Sequence, residues 1–251
     1  MIGDQSRPKL FDLNVRKPKA LHDTVVEVDE RVTIEDYDLN PAPLDFTGNI
    51  TDPALVRTQS GEVIRVIKPL SESTVRQQLV HLRQQGYESL GVALMHAHVY
   101  PDHEARVAQL AREAGFKHVT TSFETSPVVK LLNRSNSTCS EAYLYPLIRR
   151  YVENFESGFE IQPRRVDFMC SDGGLKQAHR FKGNEALLSG PAGGVVGIAR
   201  SCYDKDDGTP IIGFDMVRMS LDFIDMRHKL MQAGRAARAP TSQGSMESTI
   251  T

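Results

Sequence analysis

The sequence predicts an α/β fold built on a mainly parallel sheet. An almost continuous apolar run, SLGVALMHA at 89–97, has the length of a strand that is covered on both faces. It lies between two helix patterns, one that begins at Ser71 and one that begins at Pro101, and a short strand pattern follows at 117–122. This strand–helix–strand alternation places neighbouring strands parallel to each other, joined by right-handed crossovers.

The elements before this run are a strand and a helix. Residues 24–34 alternate apolar with charged side chains, which predicts a strand with one exposed face. After a loop rich in Pro and Asp, Ser71 is an N-cap and Gly86 a C-cap for a helix. Its apolar residues recur at helical spacing: Val75, Leu79 and Leu82.

The elements after it end in a boundary at 216/217. A long helix is predicted over 137–157, kinked or broken by Pro146. Its predicted apolar side consists of Ala142, Leu144, Leu147, Ile148, Tyr151 and Val152. Strands are predicted at 166–171 and 210–216, with a tightly packed helix between them. From residue 217 the pattern suggests one amphipathic helix and then a disordered, small and polar end.

Composition excludes several classes of protein. The 251 residues suffice for one large or two ordinary domains, and 30 basic against 32 acidic residues give a net charge of -2. That balance offers no basic surface for nucleic acid or for an anionic membrane. No run reaches the roughly 18 apolar residues that span a bilayer, and the start has no secretory pattern. Three widely spaced cysteines fit reduced thiols, so we expect a cytosolic protein.

The glycine-rich stretch at 189–194 is the first candidate site, through Ser189, Gly190, Gly193 and Gly194. Glycines let backbone N–H groups approach an anion, and the following helix adds its positive end. A tight turn where a helix packs on the sheet explains the same residues, and the spacing matches neither a Walker A motif nor GxGxxG.

Two aspartates are further candidates because each follows a predicted strand. Asp172, with Gly173 and Gly174, would lie at the carboxyl edge where α/β sheets bind ligands, although a turn-capping role is equally consistent. Asp215 would deliver a carboxylate to Mg²⁺ or to an attacking water. The Gly, Ser or Thr of a phosphate-binding hairpin is absent after it, so we expect the carboxylate without that hairpin.

Three histidines near the end of the 89–97 run, His96, His98 and His103, are candidate metal ligands. A metal site needs three or four converging ligands that neighbouring groups hold in place. Because a strand end followed by a helix start accounts for the same spacing, we predict no metal site here.

Several segments, in this order along the chain, resemble the hydantoinase A/oxoprolinase family. They are VVEVDERV (25–32), GVALMHAHVYPDHE (91–104), SPVVKLLNRSNSTCSEAYLYPLIRRYVENFESGFE (126–160), DFMCSDGGL (167–175) and ALLSGPAGGVVGIA (186–199). The variants CSDGGL, YPDHE and PIIGFDM are nearer to the eukaryotic 5-oxoprolinase branch than to bacterial hydantoinases or acetone carboxylases. The similarity runs over residues 5–216.

The resemblance implies an incomplete actin/Hsp70-like (ribonuclease H-like) nucleotide-binding fold. It implies a complete enzyme that uses ATP and Mg²⁺ to open 5-oxoproline to glutamate, in glutathione metabolism, and that contains a second, B-type half. Family members have a GGTFTD-like phosphate turn upstream and a second one, GGTSTD, directly after GFDM, where this chain has Val217. We therefore expect the chain to bind no cofactor and to be inactive by itself. Cofactor-binding roles carry over only to Asp172–Gly174, Ser189–Gly194 and Asp215.

The resemblance also divides the chain. Residues 1–122 correspond to the C-terminal part of the family's N-terminal region, 123–216 to the start of its core domain, and 217–251 to a divergent tail. Three interpretations stay open: a 5-oxoprolinase fragment, a hydantoinase-type fragment that opens another cyclic amide, and a non-catalytic remnant. The partner would be further copies in a homo-oligomer or a full-length subunit on which the chain docks.

Overall fold

The computed structural model describes residues 19–36, 39–48, 50–204, 206–209, 211–217 and 220–226. Contacts divide the chain into two compact units. The first comprises Met1–Glu160 and Lys182–Asn184, and the second comprises Ile161–Phe181 and Glu185–Thr251. No helix in these described ranges is long and apolar enough to cross a membrane.

The first unit begins with a three-stranded antiparallel sheet in the order β1-β3-β2. Its strands are β1 (Arg31–Ile34), β2 (Leu55–Arg57) and β3 (Val63–Lys68). The predicted strand at 24–34 is therefore correct only for its last four residues. Residues 24–30 are extended chain outside any strand, although their alternating pattern would suit one.

A parallel pair of strands forms the centre of the first unit, as predicted. Strand β4 (Ser89–Val92) pairs in parallel with β5 (His118–Thr121). Helices α1 (Glu72–Gln84) and α2 (Asp102–Glu113) have the predicted positions, and a glycine at positive φ follows each, Gly86 at 93° and Gly115 at 90°. The other described strand pairs are antiparallel, so parallel pairing is less extensive than predicted.

The hydrophobic core of the first unit fills the space between these helices and β4. Its buried residues are Val75, Leu79, Leu82, Val92, Val107, Leu110, Ala111 and Phe116. The periodicity of α1 thus identified the residues that pack against α2.

A short helix α3 (Ser122–Thr125) leads to the long helix α4 (Leu131–Ser157). Pro146 lies inside α4 without dividing it, since a single helix is assigned across it. The missing N–H would have bonded to the Ala142 carbonyl, which instead accepts a hydrogen bond from Ser89 Oγ at 2.5 Å. Strand β4 therefore satisfies the carbonyl that the proline leaves free.

The predicted apolar side of α4 is only partly correct. Ala142 and Val152 are buried, but Leu147 and Tyr151 are more than half exposed. The other buried positions of α4 are polar: Arg134, Thr138 and Glu141. The buried face of α4 is therefore largely polar.

The described part of the second unit contains two hairpins and the helix α6 (Ser189–Ser201). Strands β6 (Asp167–Met169) and β7 (Leu175–Gln177) are antiparallel. The short helix α5 (Gly183–Ala186), which begins in the first unit, precedes α6. Strand β8 (Ile211–Val217) pairs antiparallel with β9 (Ser220–Met226).

Strand β9 overturns one prediction. Residues 220–226 form a strand, so the amphipathic helix predicted after residue 217 is wrong over them. Strand β8 continues past Asp215 to Val217, and Val217 pairs with Ser220 of β9, so the two strands form a hairpin. A chain need not have a glycine-rich phosphate turn to reverse direction here. Residues 227–251, the rest of the predicted tail, lie outside the described residues.

Candidate functional site

A buried polar network lies at the carboxyl end of β4 and β5, the edge at which α/β sheets bind ligands. Its charged members, Glu104 on α2 and Arg134 on α4, are both completely buried. Neither residue is among the candidates predicted from the sequence. They lie 30 positions apart, and no local pattern signals that a first-turn glutamate and a helix-start arginine share a partner.

Glu104 uses both carboxylate oxygens to hold loops that follow the two strands. One oxygen accepts hydrogen bonds from Leu94 N at 2.6 Å and Ser122 Oγ at 2.6 Å. The other accepts from Ser122 N at 2.8 Å and Phe123 N at 3.2 Å. Since these amides lie at the start of α3, the carboxylate satisfies the donors that a helix start leaves free.

Arg134 completes the network from the opposite side. Its Nε donates to Ser122 Oγ at 2.7 Å, and Nη2 donates to Leu94 O at 2.6 Å. Nη1 donates to Val128 O at 2.7 Å and to Val129 O at 3.3 Å. Burial lowers the pKa of Arg134, and the charge of Glu104 opposes that shift. Ser122 is therefore held between a buried cation and a buried anion.

The histidine-containing turn lies directly after β4. His96 has a φ of 60°, an uncommon conformation for a residue with a β-carbon, and its carbonyl accepts from Val99 N and Tyr100 N at 2.9 Å. Burial lowers the pKa of His96 and of His98, and the nearby charge of Arg134 lowers both further. These two rings are therefore neutral at physiological pH.

His103 has a different role, as an anchor for the segment before β1. Its Nδ1 lies 2.6 Å from Glu30 Oε2, and both side chains are largely buried. Within the described residues, no three His, Cys, Asp or Glu side chains converge as ligands of a metal would. His96 and His98 therefore belong to the turn after β4, whereas His103 binds Glu30 before β1.

Asp172, Gly173 and Gly174 form the turn between β6 and β7. Asp172 Oδ1 accepts from Gly174 N at 2.8 Å, Gly173 has a φ of 81°, and Cys170 N donates to Gly174 O at 2.8 Å. A β-carbon on Gly174 would lie 3.0 Å from that carboxylate oxygen. The structure therefore accounts for these residues as a capped hairpin turn, and their role in cofactor binding stays a prediction.

The stretch from Ser189 to Gly194 is the start of helix α6 and not a loop before it. Ser189 Oγ donates to Ala186 O at 3.0 Å. A β-carbon on Gly193 would contact Met169 at 3.8 Å, whereas Gly190 has open space beside it. Gly193 thus faces the β6–β7 hairpin, while Gly190 lines an open groove.

That groove runs along α6 and has a volume of about 410 Å³. It is lined by Gly190, Gly194, Gly197, Ile198, Ser201, Cys202 and Phe214. None of these lining residues carries a positive charge, so an anion held there would depend on the backbone N–H groups at the start of α6. The role of Ser189, Gly190, Gly193 and Gly194 in cofactor binding stays a prediction.

Asp215 lies in the middle of β8, where the backbone register places it opposite Asp222 of β9. The same strand packs against α6, because a β-carbon on Gly213 would lie 2.3 Å from Ile198 Cδ1. The second unit thus brings β8, α6 and the β6–β7 hairpin together. The role of Asp215 as a carboxylate for Mg²⁺ stays a prediction.

Two models of one protein family match the chain. The hydantoinase/oxoprolinase N-terminal region matches residues 1–115, and hydantoinase/oxoprolinase matches residues 134–242. The chain belongs to the hydantoinase/oxoprolinase family. The second match extends past the predicted boundary at 216/217, and the three-part division made from the sequence stays a prediction.

Several curated relatives of this chain are named 5-oxoprolinase. The 5-oxoprolinase PfmaA of Pestalotiopsis fici is 68% identical over 88% of this chain, and the Saccharomyces cerevisiae 5-oxoprolinase is 44% identical over 88%. The 5-oxoprolinase 1 of Arabidopsis thaliana is 42% identical over the same share. The chain spans only 17% of the length of each of these relatives.

Two solved structures share the fold of this chain. The ATP-dependent caprolactamase of Pseudomonas jessenii superposes with a TM-score of 0.54 at 27% identity, covering 64% of this chain and 24% of that one. A nucleotide-free acetone carboxylase gives a TM-score of 0.57 at 24% identity, covering 69% of this chain and 25% of that one. These likenesses confirm the predicted α/β class with an incomplete actin/Hsp70-like fold.

Proposed function

We propose that this chain is part of an ATP-dependent 5-oxoprolinase, which hydrolyses 5-oxo-L-proline to L-glutamate in the cytosol, as a step of glutathione metabolism. The observation that carries the proposal is the 68% identity to a fungal 5-oxoprolinase over 88% of the chain. Because the chain spans 17% of that relative, the activity belongs to the complete polypeptide. The chain alone is inactive.

The chemistry explains why such an enzyme consumes ATP. A lactam carbonyl is a poor electrophile, and phosphorylation of its oxygen, with Mg²⁺ to neutralise the phosphate charge, makes it open to attack by water. In the complete enzyme we assign the Mg²⁺-facing carboxylate to Asp215 and assign the cleft around it to Asp172–Gly174 and Ser189–Gly194. The contribution of this chain is a scaffold, since the buried Glu104–Arg134 network fixes the loops at the edge of the β4–β5 pair.

The second candidate function is ring opening of another cyclic amide, as in a hydantoinase. The structural likeness to an ATP-dependent caprolactamase, at 27% identity, favours a cyclic amide in general. The identity to 5-oxoprolinases is higher, 38–68% in four relatives with that name, which favours 5-oxoproline. A non-catalytic remnant that docks on a longer subunit is the third candidate.

A chimeric enzyme tests the substrate assignment. Residues 19–226 of this chain would replace the matching segment of the Saccharomyces cerevisiae 5-oxoprolinase, and release of glutamate and ADP would be measured with 5-oxoproline, hydantoin and caprolactam. We expect turnover of 5-oxoproline alone. Turnover of hydantoin or caprolactam in its place would overturn the assignment in favour of the alternative.

Two matched substitutions in the chimera test the carboxylate. Asp215→Asn removes the proposed charge, whereas Asp207→Asn removes a charge from an exposed position of the same unit. We expect loss of turnover only from the first, with ATP hydrolysis and glutamate release lost together. Equal turnover in both variants would show that Asp215 has no role in the reaction.

Calorimetry tests whether the isolated chain binds nucleotide. ATP with Mg²⁺ would be titrated into the purified chain, with and without 5-oxoproline, after circular dichroism has shown that the sample is folded. We expect no binding heat. Micromolar binding would show that the chain builds a nucleotide site by itself.

A further inference from the structure

One serine joins the two glycine-containing candidate segments of the second unit. Ser171 lies between β6 and the Asp172–Gly174 turn. Its backbone N–H donates to Glu185 O at 2.7 Å, and its hydroxyl donates to the same carbonyl at 2.7 Å. The hydroxyl oxygen also accepts from Leu188 N at 3.0 Å. Since Leu188 comes directly before α6, Ser171 ties the turn to the start of that helix.

These three hydrogen bonds are chemically consistent with one another. A serine hydroxyl has one proton to donate and lone pairs with which to accept, and a carbonyl oxygen can accept two bonds. The Ser171 hydroxyl donates once and accepts once, and Glu185 O accepts two of the bonds. An alanine at position 171 would keep the backbone bond but would remove the acceptor of Leu188 N.

The other strand of the hairpin is held by the same glutamate. Lys176 of β7 forms an ion pair with the Glu185 carboxylate, and the hydrogen bond between them raises the pKa of Lys176. Glu185 therefore contacts both flanks of the turn, through the backbone of Ser171 before it and the side chain of Lys176 after it. We call the four residues Ser171, Lys176, Glu185 and Leu188 the hairpin clamp.

Helix α6 packs against the same hairpin. Gly173 has a φ of 81°, and a β-carbon there would lie 3.4 Å from Val196 Cγ2 of α6. A β-carbon on Gly193 would lie 3.8 Å from Met169 Cγ of β6. The hairpin and α6 are therefore in contact, and the hydrogen bonds of the hairpin clamp fix how the turn lies relative to the start of the helix.

We propose that Ser171 is a positioning residue for nucleotide binding, which holds the Asp172–Gly174 turn and the start of α6 together as one element. The inference rests on the proposed function, because that proposal assigns both segments to the cleft around the Mg²⁺-facing carboxylate. Ser171 acts through the amide of Leu188 and the carbonyl of Glu185. Backbone groups bind an anion only at hydrogen-bond distance, so their placement decides its affinity.

Enzyme kinetics of the chimera test this role. Ser171→Ala removes the hydroxyl of the hairpin clamp, whereas Thr209→Ala removes a hydroxyl from an exposed position of the same unit. We expect the KM for MgATP to rise about fivefold or more in Ser171→Ala, which corresponds to ~1 kcal/mol, the contribution of one hydrogen bond. The KM for 5-oxoproline should stay unchanged, and Thr209→Ala should change neither value. A substitution that only lowered the folded fraction would reduce kcat and leave both KM values unchanged.

Ser171→Thr provides the rescue, since threonine keeps the hydroxyl. It should return the KM for MgATP towards that of the unsubstituted chimera, with equal helix content by circular dichroism in all variants. An unchanged KM for MgATP in Ser171→Ala would overturn the proposal. An equal rise in the alanine and threonine variants would also overturn it, because the hydroxyl would then have no role.

Amide exchange tests the hairpin clamp without any measurement of activity. Exchange in peptides that cover residues 172–176 and 186–194 of this chain would be followed by mass spectrometry. We expect both peptides to exchange about fivefold faster in Ser171→Ala, because one hydrogen bond restrains both segments, and to be unchanged in Thr209→Ala. Acceleration of one peptide alone, or of neither, would show that the two segments do not behave as one element.

Failure of this proposal and failure of the proposed function are distinguishable. If the chimera hydrolyses 5-oxoproline and Ser171→Ala keeps the KM for MgATP, the function stands and the assignment of Ser171 falls. If the chimera is inactive, calorimetric affinity for MgATP takes the place of KM. A loss of affinity in Ser171→Ala alone would then uphold the positioning role while the substrate assignment falls, and equal affinity in all variants would overturn both.

Discussion

Ser89 Oγ donates a hydrogen bond of 2.5 Å to the carbonyl oxygen of Ala142, the carbonyl that Pro146 leaves without its helical donor. The contact joins β4 to α4 at the point where the helix would otherwise have a defect. It explains how a proline is tolerated inside a helix of 27 residues.

Ser89→Ala should therefore destabilise the fold by about 1 kcal/mol, because it leaves a part-buried carbonyl without a donor. In a Pro146→Ala background, residue 146 supplies its own N–H, and the same substitution should cost less. Urea unfolding of the four variants, followed by circular dichroism, measures the difference. Ser157→Ala, at an exposed end of α4, is the control and should change stability by less than about 0.5 kcal/mol. An equal cost of Ser89→Ala in both backgrounds would refute the explanation.

Arg134→Met should be among the most destabilising substitutions in the first unit. It removes the buried guanidinium that donates to Ser122 Oγ and to the carbonyls of Leu94, Val128 and Val129. Each buried acceptor left without its donor costs about 1–3 kcal/mol. Arg150→Met, which is exposed on the same helix, should change stability by less than about 0.5 kcal/mol. Urea unfolding compares the two, and similar midpoints would show that the network contributes little.

The apolar face of helix α1 could be predicted from the sequence, but the Glu104–Arg134 network could not. Helix α1 was predictable because Val75, Leu79 and Leu82 repeat within one turn of each other, and a buried stripe is a local signal. Glu104 and Arg134 meet only through the fold, with Ser122 between them. Neither residue lies in a pattern that distinguishes a buried charge from the exposed charges that are common on helices.

The β8–β9 hairpin was missed for a different reason. The absence of Gly, Ser or Thr after Asp215 predicts only that a phosphate-binding hairpin is missing, whereas the residues after 217 have a pattern that predicts a helix. The strand is seen in the backbone register, which runs from Ile211 opposite Met226 to Val217 opposite Ser220. The prediction that Gly86 ends α1 was correct, because its φ of 93° is a conformation that favours glycine.

The first unit should lose stability in mild acid because of its histidines. Burial lowers the pKa of His96, His98 and His118 in the folded state, whereas unfolded histidine titrates near 6.5. Above that pH both states are neutral and stability is full. As the pH falls through about 6.5 the unfolded chain takes up protons first, so stability declines until the lowered folded pKa values are reached.

Urea midpoints at pH 8 and pH 5.5 measure this loss. His98→Gln should reduce it, because one lowered group is removed, whereas replacement of the exposed His81 should leave it unchanged. A midpoint independent of pH over this range would contradict the prediction.

Two glycines of the second unit should respond to alanine in opposite directions. Gly213→Ala places a β-carbon 2.3 Å from Ile198 Cδ1 and within 3.3 Å of two further Ile198 carbons, so either the Ile198 side chain must shift or the strand and helix must separate. Overpacking of this kind costs about 1–3 kcal/mol. Gly197→Ala meets no atom within 4 Å inside α6 and should stabilise by about 0.5–1 kcal/mol, since alanine is the better helix former. Adding Ile198→Val to Gly213→Ala should recover part of the loss. A shared sign for the two alanine variants in urea unfolding would show that α6 does not pack on β8 as described.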